Sequence, residues 1–143
     1  MFKKINNTNG FTLVEVLAST VILTLLLTSF LIVFIQSVKT NKTSEHIIDA
    51  TYIAQTEMEE IYAISIKTKY GSRDMTLRGL NYIKKEDESG WSVFERNRDT
   101  GELIKVKLKN KKGTMDRVLI EVKDKDTLRA QMENVLVWKV DQE

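Results

Sequence analysis

One acidic side chain stands where it is costly. Glu15 is the sole formal charge in Phe11 to Ile35, a run of 25 residues reading FTLVEVLASTVILTLLLTSFLIVFI. On insertion scales a carboxylate at the centre of a bilayer-spanning helix costs about 2.5–3.5 kcal/mol, and less near the end of a span, where Glu15 lies. It can reach the interface or take up a proton. It can also find a cation. A cut between Gly10 and Phe11 would make one: the new Phe11 ammonium and the Glu15 carboxylate stand at i and i+4, one helical turn apart. Between neighbouring chains the same two charges could pair and set the axial stagger.

No other constellation in the sequence supports chemistry. There is no cysteine, which removes disulfides, thiolate metal sites and a cysteine nucleophile. His46 is the single histidine; with no second imidazole to share a metal, it reads as a surface residue. Glu57, Glu59 and Glu60 lack an acid–base partner and read as the wet face of a helix. Asp124 and Asp126 offer oxygens of the kind calcium takes, but not at EF-hand spacing, and read as a polar turn. Phosphate-cradling glycine loops, dinucleotide fingerprints and nucleophile elbows are missing. The expectation is a protein that is not an enzyme, with no catalytic residue, metal or cofactor.

Lys105, Lys107 and Lys109 alternate along one face of a strand, and Lys111 and Lys112 follow at the next turn. From residue 67 onward there are 18 basic and 14 acidic residues. A polyanion such as nucleic acid or a wall polymer could meet that face electrostatically. The ordinary reading is a solvated edge that deters strand-to-strand aggregation. No aromatic platform for stacking bases is evident between these lysines.

The apolar run needs an element of its own. At 1.5 Å per residue it makes a helix of about 37 Å, enough to cross a hydrocarbon core of about 30 Å. Met1 to Asn9 is short, polar and basic, and Lys3 and Lys4 favour a cytoplasmic N-terminus. Lys39 and Lys42, beyond the span, weaken that asymmetry. The run exceeds the apolar stretch of an ordinary secretory signal, about 7–15 residues. Setting Lys3 and Lys4 aside leaves 20 basic against 20 acidic residues, so global charge gives no reason to bind nucleic acid. Thr20, Thr24 and Thr28 form an i, i+4 stripe whose hydroxyls bond either across helices, for about 0.6 kcal/mol each, or back to their own helix.

GFTLVEVLAS, Gly10 to Ser19, resembles the class III signal of type IV prepilins and type II secretion pseudopilins. The shared features are a short basic leader, Gly, Phe, a Thr-Leu-Val-Glu core and a continuing apolar helix. The resemblance covers residues 3–35. It implies that a membrane aspartyl peptidase, the prepilin peptidase, cuts after Gly10 and methylates the new amino group of Phe11. It implies that Glu15 is the acidic residue used in assembly. It also implies partners: other pilins or pseudopilins, a membrane platform and an assembly ATPase. AQTEMEEI, Ala54 to Ile61, is similar to a stretch of minor pilins and minor pseudopilins of the I and V classes. Many family members carry a proline in the apolar helix; this chain has none, which argues against a kink there.

The remaining elements follow from periodicity. No glycine or proline lies between Gly10 and Gly71, so strong helix breakers are missing. Ile47, Thr51, Ala54, Met58 and Ile61 repeat at helical spacing, and Ile48, Tyr52, Tyr62 and Ile66 widen that face. Lys39 to Ser44 is the part most prone to fray or bend. Residues 67–90 read as an irregular connection anchored by Leu77, Leu80, Tyr82 and Ile83, with one short strand. Strand candidates follow at Trp91 to Asn97, Leu103 to Lys109, Met115 to Lys123 and Leu128 to Val140. Their turns are Asp99-Thr100-Gly101, Lys111-Lys112-Gly113 and Asp124 to Asp126. Short connections favour an antiparallel meander. The expected fold is α+β and pilin-like: a long N-terminal membrane-spanning helix continues into an amphipathic helix packed on a small C-terminal antiparallel sheet. The expected segments are a cleaved leader 1–10, a filament-core helix 11–35, its amphipathic continuation 36–66 and a head 67–143.

The function expected from these features is that of a structural, minor filament subunit serving secretion, competence or pilus function. Before assembly it spans the cytoplasmic membrane once, in contact with lipid, with its C-terminal domain outside; afterwards it lies in a surface or envelope filament. The rival is a permanently anchored single-span binding or sensory domain, which keeps Lys3 and Lys4 and leaves Glu15 without a special partner.

Overall fold

A computed structural model describes residues 11–140; Lys3, Lys4 and Gly10 lie outside the described residues. In chain order the elements are α1 (Leu13–Ser65), a single 3-10 turn (Tyr70–Ser72), α2 (Arg73–Gly79), β1 (Ile83–Lys84), β2 (Ser92–Asn97), β3 (Glu102–Lys112), β4 (Met115–Asp124) and β5 (Thr127–Val137). The chain divides into two units after Lys42.

The first unit is helical from Leu13, and every described side chain in it is exposed. α1 is long and apolar enough to cross a membrane, and none of its apolar stretch is buried. A helix that is apolar all round and covers nothing in its own chain calls for an apolar surrounding. The hydroxyls are satisfied locally. Thr20 Oγ1 donates to the Leu17 carbonyl, Thr24 Oγ1 to that of Thr20 and Thr28 Oγ1 to that of Thr24, at 2.7–2.8 Å. The stripe bonds to its own helix, as a hydroxyl must where no water competes. Lys39 to Ser44 is helical throughout.

The second unit is a five-stranded antiparallel sheet, in the order β1-β2-β3-β4-β5, with the later turns of α1 against one face. Period-2 alternation sets that face. Phe94, Val106 and Ile120 are cross-strand partners, as are Leu108 and Val118, and Ile104 and Val122. All seven are buried, together with Leu136 and Trp138. Removing one such aliphatic side chain from water is worth about 1.5–3 kcal/mol. From α1 the sheet receives Ala50, Ala54, Met58 and Ile61, with Ile53 and Ile64 partly buried beside them.

That helix face is rotated from the one expected. Ile47, Ile48, Thr51, Tyr52, Tyr62 and Ile66 are exposed, while Ala50, Ala54, Glu57, Met58, Ile61 and Ser65 are buried. Small side chains at 50 and 54 leave room for close contact between helix and sheet. A polar pair, described below, takes Glu57 inward, and the wet face expected at Glu57 is thereby corrected.

Within 67–90 the chain is more ordered than an irregular connection, forming the 3-10 turn, α2 and the short strand β1. Leu77 and Tyr82 are buried anchors, whereas Ile83 is exposed. Lys111 and Lys112 belong to β3 rather than to a turn. The reversal falls on Gly113 and Thr114, because Gly113 takes φ +59°, a region open to glycine. In β5, Val135 and Val137 face solvent and Leu136 faces the core.

Candidate functional site

The start of α1 is built by two side chains. The Glu15 amide donates to Thr12 Oγ1 at 3.2 Å, and the Thr12 amide donates to Glu15 Oε2 at 3.5 Å. This is a reciprocal capping box: Thr12 is the cap, and Glu15, three residues on, closes back on it. Helix starts leave amides without partners, and a carboxylate there also meets the favourable end of the helix dipole. Glu15 therefore has a local task that the sequence reading missed, although its signal, Thr-x-x-Glu before an apolar run, is plain in TLVE. Phe11, one residue before the cap, is 82% exposed. Gly10, Lys3 and Lys4 lie outside the described residues.

The second polar site lies inside the head. The Tyr82 hydroxyl donates to Glu57 Oε2 at 2.6 Å. Arg96 Nη2 lies 2.5 Å from both Glu57 oxygens, and its Nη1 donates to the Leu80 carbonyl at 2.9 Å. The guanidinium also stacks 4.6 Å from the Tyr82 ring centre. Strand alternation explains the meeting: Arg96 pairs with Ile104 and so shares the inner, helix-facing side. Burial is the main cause holding the Tyr82 phenol far above the ordinary tyrosine range, and the bond to Glu57 adds to it.

A third site closes the other end of the inner face. Asp116, wholly buried, has Arg73 Nε at 3.3 Å and faces Asn110, Trp138 and Tyr70. Its oxygens complete no hydrogen bond of normal geometry among the described residues. Burial pushes its carboxyl up, and the Arg73 charge opposes that.

The five lysines expected to form one basic face divide. Lys105 Nζ lies 3.1 Å from Glu88 and 3.0 Å from Glu95; Lys107 Nζ lies 3.2 Å from Glu88 and 3.1 Å from Glu121. These two are neutralised in a cross-strand lattice. Lys109 stands 5.6 Å from the Trp91 ring, and Lys111 and Lys112 are exposed. Alternation puts Lys105, Lys107 and Lys109 on one face, and the pairing shifts register between Asn110 and Lys112. Asp124 takes a contact from Arg129 at 3.3 Å. His46 is exposed, and lines a small cleft with Asp49, Glu102 and Arg129.

Residues 5–31 match the family described as the prokaryotic N-terminal methylation motif. The match spans the boundary at Gly10 and Phe11, the Thr12–Glu15 cap and the first turns of the apolar helix. No curated protein and no solved structure matches the chain. The chain thus carries a prokaryotic N-terminal methylation motif ahead of an α+β fold, a long helix followed by an antiparallel sheet.

Proposed function

We propose that this chain is a structural, minor subunit of a type IV pilus-like or pseudopilus filament. Prepilin peptidase cuts between Gly10 and Phe11 and methylates the Phe11 amine. The processed chain waits in the cytoplasmic membrane with its head outside, until a platform and its ATPase extract it. The apolar part of α1 then packs among those of neighbouring subunits, and Glu15 is neutralised by a neighbour's N-terminus. The leader, 1–10, is discarded; 11–35 lies in the filament core; 36–66 carries the helix into the head. Secretion, competence and pilus machines all use such subunits. The role is mechanical, and no catalytic step is assigned.

One observation carries this reading. The methylation motif runs into an exposed apolar helical stretch, up to Ile35, whose single acidic residue, Glu15, sits one turn from the Gly10–Phe11 boundary. That geometry suits a charge relay between chains, because burying the helix among others leaves Glu15 in need of a cation.

Glu15 has two roles to separate, capping and pairing. Glu15→Gln keeps the capping box, which accepts Glu or Gln, and removes the charge. Thr12→Ala removes the cap and keeps the charge. Filament incorporation is expected to fail in the first variant and to persist in the second, with membrane insertion intact in both. The reverse pattern would reduce Glu15 to a cap. Mass spectrometry of the mature chain checks the cut independently: it should begin at a singly methylated Phe11, and a chain that starts at Met1 in peptidase-positive cells would sink the proposal.

A further inference from the structure

The end of the head at which α1 stops is a cap of lysines. Three chain segments converge there. Lys139 donates its amide to the Ser65 and Thr68 carbonyls and accepts from the Tyr70 amide, and Lys69 pairs with Lys139 in a parallel bridge. The Trp138 amide donates to the Thr114 carbonyl at the β3–β4 turn. Asn110 Nδ2 donates to the Tyr70 hydroxyl at 2.7 Å. This convergence gathers Lys67, Lys69, Lys109, Lys111, Lys112 and Lys139, all exposed. Among the described residues none of the six has an ion pair, whereas Lys84, Lys85, Lys105 and Lys107 each do. Asp116 is buried beside Arg73, and Glu133, which shares a cleft with Lys109 and Lys111, is paired with Arg117.

We infer that this lysine cap binds the phosphate backbone of double-stranded DNA without sequence preference. Three physical points select that partner. Lysine is depleted at protein–protein interfaces and arginine enriched; Arg117, beside Lys109, is already engaged by Glu133, so six lysines describe a poor protein-docking surface. An ammonium is a strongly hydrated point charge, suited to phosphate rather than to planar, paired recognition. Duplex DNA carries one charge per about 1.7 Å and a condensed ion atmosphere, so several lysines meeting it together gain from ion release. A stiff duplex also loses less conformational freedom on an open patch than a flexible polymer does. The inference does not rest on the filament reading: it concerns the head alone and holds for an anchored protein too.

The test uses the full chain in detergent micelles and a fluorescent duplex of unrelated sequence, followed by anisotropy across a salt series. Binding should weaken with salt, with a logarithmic slope of at most about −5, since each engaged lysine contributes roughly −0.9. Lys111→Gln with Lys112→Gln should lower affinity about tenfold near 100 mM salt and make the slope shallower by about 2. Lys123→Gln with Lys125→Asn makes the same charge change at the opposite end of β4 and should leave both quantities unchanged; asparagine suits the positive φ of Lys125. Equal losses in the two double variants would overturn the local site in favour of overall charge. So would no binding at low salt. Tighter binding to polyglutamate or to a glycerol-phosphate polymer of equal charge would overturn the choice of DNA.

Discussion

The carboxylate of Glu57 on α1 and the guanidinium of Arg96 on β2, 39 residues apart in sequence, meet at 2.5 Å inside the head. Glu57 is only 6% exposed and Arg96 21%. Such a pair contributes little over an apolar substitute, because desolvation offsets much of the attraction. What it does is fix position: another rotation of α1 would part Glu57 from Arg96 and leave the guanidinium without this carboxylate. Removing one partner is therefore costly. Glu57→Ala should destabilise the head by about 3–5 kcal/mol, and Glu57→Gln by less, because an amide still bonds Tyr82. Urea unfolding of the full chain in detergent measures both, and a double-mutant cycle with Arg96→Ala should show strong non-additivity.

Tyr82 supplies the remaining donor. Tyr82→Phe leaves the ring in place and removes the bond to Glu57, for an expected loss of about 1–3 kcal/mol. The phenol, raised mainly by burial, stays protonated in the folded head. Its contribution to stability is present below the ordinary tyrosine value of about 10 and declines as the pH rises above it. Absorbance titration should show one tyrosine silent until the head unfolds; early titration of every tyrosine would contradict the buried geometry.

Asp116 follows the same rule at lower pH. Its carboxyl is raised, chiefly by burial, so the folded state holds the proton more tightly than the unfolded state. This group's contribution falls as the pH climbs from the ordinary aspartate value of about 3.9 to the raised one. Asp116→Asn should flatten the stability–pH curve in that window. An unchanged slope would assign the pH dependence elsewhere.

Glu88 tethers its loop over the outer face of the sheet. Hydrogen bonds from Lys105 and then Lys107 lower its carboxyl below the ordinary glutamate range. The tether is fully present above about 4.3 and is lost as the pH falls through the lowered value. Protection of the Glu88 and Trp91 amides, whose backbones bond each other, should fall in acid when exchange is compared with the intrinsic rate at each pH. Glu88→Gln should reproduce the acid behaviour at neutral pH.

At the other end of α1, Thr12→Ala should cost about 1 kcal/mol of helix-start stability. Faster amide exchange at Glu15 and Val16, whose amides bond to Thr12, would report it.

Some of this protein could be read directly from its residues. The apolar run, the GFTLVE boundary and the alternating strands are local periodic signals, and they specified the span, the methylation motif and the meander. Within those strands Ile104, Val106, Leu108, Val118, Ile120 and Val122 alternate with less buried neighbours and are themselves buried, because a pleat leaves only two faces. Tertiary structure decided the rest. The rotation of α1 depends on Ala50 and Ala54 fitting the sheet and on Glu57 meeting Arg96, a partner that no helical spacing reveals. Lys105 and Lys107 look like their neighbours Lys109 and Lys111, yet only the first two lie beside Glu88, Glu95 and Glu121. The lysine cap takes Lys67, Lys69 and Lys139 from distant parts of the chain. Periodicity fixes which side of an element a residue occupies; the charge that will stand opposite is set only when the elements are brought together.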